Sequence, residues 1–151
     1  MAPAPTMVQL YQQYHTERAT SVSEDQFATF AVFFPTLIII ISDGVIDLEE
    51  WDYVKQLARF MAKTFQDEGH EQADVGELTE AYLAEISYLI KFLADWREPF
   101  LSTLENYLTT RPEAKASILD TIELFAEASE GTSPEEQAQI DDIKQRLRLQ
   151  E

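Results

Sequence analysis

The chain has 151 residues, 45% of them hydrophobic and 11% aromatic, with a net charge of -17 from 28 acidic and 11 basic side chains. Such a length and apolar content belong to one globular domain with a sizeable core rather than to a disordered tail. The acidity repels phosphate backbones and anionic lipid surfaces, which argues against nucleic acid as a direct partner, and the lack of cysteine removes disulfides, thiolate metal sites and cysteine nucleophiles.

Residues 1–7 carry two prolines and read as a disordered lead-in, without the basic and apolar segments of a signal peptide. Residues 8–151 read as a single helical domain. The first helix spans Val8 to about Thr16, with Tyr11 and Tyr14 on one side. Ser23 and Gln26 form a capping box that opens the second, from Glu24 to Ile41. Its late run, Leu37 to Ile41, has high β propensity. No other segment supplies a partner strand, so an all-round apolar, central helix is expected, kinked at Pro35. This longest apolar stretch is too short to cross a bilayer, and a cytoplasmic location is expected.

The third helix starts after Asp47. Trp51, Val54, Leu57, Ala58, Met61 and Phe65 recur at steps of three and four, with Asp52, Lys55, Arg59 and Lys63 on the wet face. A polar loop from Asp67 to Asp74 follows. The fourth helix runs from about Val75 to Trp96 on a stripe of Leu78, Tyr82, Ile86, Leu89, Leu93 and Trp96. Pro99 and Pro112 read as first-turn residues of the fifth and sixth helices. The seventh follows Ser133, with Pro134 at its first position and Glu136 closing a second box. The expected fold is therefore all-α, an irregular bundle of about seven helices with no strands.

The densest chemistry lies in Asp43-Gly44-Val45-Ile46-Asp47-Leu48-Glu49-Glu50. Two readings stand side by side. In one, Asp47 caps the third helix, Glu50 closes the box, and the acidic first turn complements the helix dipole. In the other, Asp43, Asp47 and Glu50 converge on a divalent cation, with Gly44 permitting a tight turn. At Gly44, Ile46, Asp47 and Glu50 the stretch matches the second half of an EF-hand loop. The first half does not, because Ile39 and Ile41 occupy its first two ligand positions.

An apolar helix with an internal proline (Phe34 to Ser42) runs straight into this Asp-Gly-x-Ile-Asp-x-x-Glu turn, and an amphipathic helix follows. A weaker copy of the turn comes late, at Ala128 to Glu136. From about Phe27 to Leu147 the chain thereby resembles the TerB-like tellurite-resistance family. The resemblance implies an all-helical fold, a weak internal repeat and divalent-cation binding by the acidic turns. It also implies membership of stress-associated protein complexes at the inner face of the membrane, reached through partners. Carried over by position, Asp43, Asp47 and Glu50 match the first turn, and Glu130 and Glu136 the second. The second turn is one residue shorter and has Ser133 in place of an aspartate.

Elsewhere the chemistry is sparse. His15 and His70 are far apart; His70, with Asp67, Glu68, Glu71 and Asp74, forms a second carboxylate-rich cluster that reads as a solvated loop. Neither a phosphate loop nor a nucleophile elbow is present. Lys144 to Arg148 make a small basic patch that suits a helix C-terminus or docking to acidic groups. The sequence thus reads as a non-enzymatic accessory or scaffold protein. It would take calcium, magnesium or manganese, because oxygen-only ligands favour hard cations. The alternative is a helical protein-protein interaction module with no metal site.

Overall fold

The computed structural model describes residues 5–41, 48–128 and 134–149. Its eight helices are α1 (Met7–Arg18), α2 (Glu24–Val32), α3 (Phe34–Ile40), α4 (Leu48–Asp67), α5 (Val75–Lys91), α6 (Leu93–Thr110), α7 (Ala114–Ala128) and α8 (Pro134–Leu147). No strand occurs among the described residues, so the all-α expectation holds.

Two boundaries differ from the expected ones. The long second helix is two helices, because Pro35 has no N–H for the carbonyl of Ala31 and its ring would press against that carbonyl. The chain breaks at Phe33 (φ -94°, ψ 0°), where a tightened Phe33-to-Phe30 bond ends α2, and Pro35 sits in the first turn of α3. The second difference is at α5, which stops at Lys91. Phe92 leaves helical geometry at φ -120° and ψ 27°, and α6 begins six residues before Pro99. Pro99 is therefore inside a helix rather than at its start, and Trp96 belongs to α6. Pro112 lies in the turn that leads into α7, where Lys115 N–H donates to its carbonyl at 3.1 Å.

The N-terminal edge is also better anchored than its composition indicates. Thr6 caps α1 in a reciprocal box with Gln9, and Asn106 on α6 donates to the carbonyl of Pro5 at 3.3 Å. Ser23 and Gln26 form the expected box at α2.

The Ile-rich segment is the centre of the bundle. All seven residues of α3 are buried, and α2, α4, α7 and α8 pack around them. This arrangement follows from the sequence, since a helix without a polar face has no side to turn to water. α4 and α5, joined by a short loop, form the most extensive helix pair, an antiparallel hairpin. The α4 stripe is buried as expected: Val54, Leu57, Ala58, Met61 and Phe65 face inward and Trp51 is half-buried. A cluster of aromatic rings joins the N-terminal half to α6. Tyr14, Phe27, Phe30, Phe34, Trp96 and Phe100 stack or meet edge to face there.

Candidate functional site

Glu50 and Glu136 have equivalent places, each the third residue of its helix, α4 and α8, and each is half-buried. α4 starts at Leu48 and α8 at Pro134, as the two acidic motifs require. Asp43, Asp47 and Glu130 lie outside the described residues. Among the described residues, no group of three or more His, Asp or Glu side chains converges as a metal ligand set.

The helices on either side of the two motifs have a definite arrangement. α3 precedes the first acidic motif and α4 follows it; α7 precedes the second and α8 follows it. α3 packs on α7, α4 and α8, and α7 packs on α8. The two helix–motif–helix units are thus joined through their leading helices, whose inward faces are the isoleucines of α3 and Ile118, Ile122 and Phe125 of α7.

Sequence reasoning missed a buried carboxylate. Glu85 on α5 is only 2% exposed. Its Oε1 accepts from the Tyr14 hydroxyl at 2.7 Å and from Arg18 Nε at 3.1 Å. The Arg18 guanidinium also lies over the Tyr88 ring, 4.9 Å from its centre, and Trp96 Nε1 donates to the Tyr88 hydroxyl at 3.1 Å. Burial, reinforced by the bond to Glu85, pushes the Tyr14 phenol far above the ordinary tyrosine range, with Arg18 opposing. The sequence signal was Glu85 itself, three residues from Tyr82 and four from Leu89 on an apolar face. These bonds tie α1 to α5.

His70 lies in the loop between α4 and α5, where Asp67, Glu68, Glu71 and Asp74 are exposed as expected, but the histidine itself packs inward. Its ring is half-buried and stacks on Phe65 with centres 3.8 Å apart, while Nδ1 pairs with the Phe65 carbonyl at 3.0 Å. The Nδ1–H donor this requires leaves Nε2 as an acceptor in the neutral ring. His70 helps line an open cleft of about 550 Å³ between α2, the end of α4, the end of α6 and the start of α7. Val32 and Phe33 supply an apolar wall, and Asp25, Glu68 and Glu113 bring three carboxylates. Arg111 also lines the cleft, lying against the Tyr107 ring at 5.4 Å. Partial burial pushes the Glu68 carboxyl up from the ordinary range, with His70 opposing. Burial also raises the Tyr107 phenol; Arg111 opposes this, and Glu68 and Glu113 add to it.

One residue of the basic patch near the C-terminus, Arg146, is committed inside the molecule. Arg146 on α8 pairs with Glu98 and Glu105 of α6 and donates to Ser102 at 3.2 Å. Arg97 closes the same seam with Asp142 at 3.2 Å. No described helix is long and apolar enough to cross a membrane. No known family, curated protein or solved structure matches this chain.

Proposed function

We propose that the chain is a non-enzymatic, divalent-cation-binding accessory or scaffold protein of the TerB-like kind, acting through protein partners. The observation that supports this reading is the pairing of its two acidic-motif units. α3–α4 and α7–α8 each flank one motif, and the leading helices α3 and α7 pack on each other. Cation binding by Asp43, Asp47 and Glu50, with Glu130 and Glu136 from the second unit, would relieve carboxylate repulsion and set the angle between a central helix and the one that follows it. A surface formed by α4 or α8 would then respond to the cation. Oxygen ligands alone favour calcium, magnesium or manganese.

A second reading has its own support. The chain twice uses a side-chain box purely to start a helix, at Thr6 and at Ser23. Glu50 and Glu136 stand at the same helical position as Gln9 and Gln26. On that reading the acidic turns are caps, and the domain is a helical interaction module. Isothermal titration of chelator-stripped protein with calcium, magnesium and manganese separates the two. Saturable binding that is lost in Asp43→Ala/Glu50→Ala supports the cation site. Heatless titrations of a fully helical protein leave the capping role.

A further inference from the structure

Glu85 is a carboxylate in a place that an apolar side chain would fill. It is 2% exposed, on the face of α5 that also buries Tyr82, Ile86 and Leu89. Taking an ion pair out of water commonly stabilises a fold no more than apolar residues of the same volume would. The best-attested use of such a buried polar group is to fix the register of one helix on its neighbours. The helix that Glu85 holds is α1. Tyr14 and Arg18, one turn apart, donate to the same Oε1 at 2.7 Å and 3.1 Å, and Arg18 Nη2 donates to the Ala84 carbonyl at 3.4 Å.

The sequence of α1 contains a second seating for the same groove. In the observed one, Leu10 and Tyr14 are fully buried, Met7 and Tyr11 are half-buried, and Arg18 reaches Glu85. Three residues earlier stand Met7, Val8, Tyr11 and His15, in the order of Leu10, Tyr11, Tyr14 and Arg18. Advancing α1 by three residues is a slide of about 4.5 Å with a net turn of about 60°. It would put Met7 in the place of Leu10 and Tyr11 in that of Tyr14. The two fully buried places are thus matched, and apolar contact separates the seatings only at the half-buried ones. Two neutral bonds also belong to the observed seating, from the Tyr11 hydroxyl to the Val22 carbonyl at 2.8 Å and from Asn106 to the Pro5 carbonyl at 3.3 Å. The linker from Ala19 to Ser23 discriminates weakly, because lengthening a loop by three residues costs little entropy.

The fourth place differs in kind. Arginine is always charged, and its fork serves Glu85 and the Ala84 carbonyl together. Histidine is shorter and largely neutral near pH 7. In the advanced seating the buried carboxylate would lose its cation, and an uncompensated buried charge is strongly disfavoured.

We propose that Glu85 is a register lock: it reads where the cation stands on α1 and thereby selects the Arg18 seating over the one three residues away. The lock stands apart from the acidic turns, since neither α1 nor α5 adjoins them.

The test moves the cation by three residues in the full chain, with His15→Arg/Arg18→Met. His15 is exposed and Arg18 partly so, which leaves room for either side chain, and far-UV circular dichroism checks that the variant is folded. In the parent, nuclear Overhauser contacts should join the Trp96 indole to the Tyr14 ring, whose centres are 5.0 Å apart, while Tyr11 meets Phe27 at 5.3 Å. In the double variant a second set of α1 amide signals is expected, with Trp96 now in contact with the Tyr11 ring. Adding Glu85→Leu removes the group that reads the cation, so α1 should return to the original seating on its apolar and neutral contacts. Trp96 contacts to Tyr14 alone in the double variant would overturn the proposal, because packing would then set the register whatever faces Glu85. Loss of Trp96 contacts to both tyrosines would overturn it too, showing a cation that holds α1 without positioning it. So would an advanced α1 that stays advanced after Glu85→Leu.

Discussion

Tyr14, Arg18 and Glu85 offer a test of what a buried carboxylate does for this fold. Both donors share one acceptor, Glu85 Oε1, at 2.7 Å and 3.1 Å. Tyr14→Phe removes a hydrogen bond to a charged group between side chains that are almost wholly buried, so a loss of about 2 kcal/mol is expected. Arg18→Ala strips the cation from the carboxylate. A fully buried pair would lose about 3–5 kcal/mol on such a cut. Arg18 is 30% exposed, however, so water screens the carboxylate and about 2 kcal/mol is expected instead. Glu85→Leu keeps the volume and removes the charge, but leaves the Tyr14 hydroxyl buried without its acceptor, at a cost of about 1–3 kcal/mol. Adding Tyr14→Phe to Glu85→Leu deletes that orphan, so the double variant should be more stable than Glu85→Leu alone. Urea unfolding followed by helical circular dichroism measures all four. Trp96, whose ring lies 5.0 Å from that of Tyr14, gives a local fluorescence reading of the same site. Equal losses from Tyr14→Phe in the two backgrounds would refute the shared-acceptor account.

The buried phenols also set an alkaline limit. Tyr14 and Tyr82 have folded-state values raised above the unfolded one, mainly by burial, so the folded protein holds protons that the unfolded chain releases. Their contribution is complete below the ordinary tyrosine value of about 10 and is lost as pH rises beyond it. The urea midpoint should therefore fall above that pH, less steeply in Tyr14→Phe. Thr36 is 1% exposed, and its hydroxyl has no hydrogen-bond partner among the described residues. Thr36→Val should raise stability by about 1 kcal/mol in urea titration, and a loss would mean that the hydroxyl is satisfied. Arg146→Gln should weaken the α6–α8 seam by about 1 kcal/mol, less at high salt, because Glu98 is 67% exposed and the pairs are screened. Leu57→Ala should cost about 2–5 kcal/mol in thermal or urea unfolding, as Leu57 is fully buried on α4.

Periodicity carried most of the fold. The three-four spacing from Val54 to Phe65 named the buried face of α4 because a helix that packs on one side must put its apolar residues there. The isoleucines of α3 were identified as central because they leave no polar face for water. Pro35 marked a disturbance, but sequence alone does not distinguish a kink from a break. Packing decided it, with α2 and α3 as separate rods each meeting α4. The α5–α6 boundary was misread because proline is a strong local signal. The actual break, at Phe92, has none and comes from how the two stripes seat on different neighbours.

The site divides along the same line. The acidic motifs are local, so their residues and the helix starts at Leu48 and Pro134 could be read from spacing. That α3 should pack on α7, bringing the two motif-bearing units together, is a contact across the chain and belongs to the tertiary structure. Glu85 meets Tyr14 across 71 residues. Asp25, Glu68 and Arg111, each unremarkable in its own segment, line one cleft only because α2 runs beside the ends of α4 and α6. Local sequence determines which side chains a helix presents, since backbone geometry sets their angle about the axis. Which of them meet is decided by burial of the whole apolar surface at once, and no single segment contains that information.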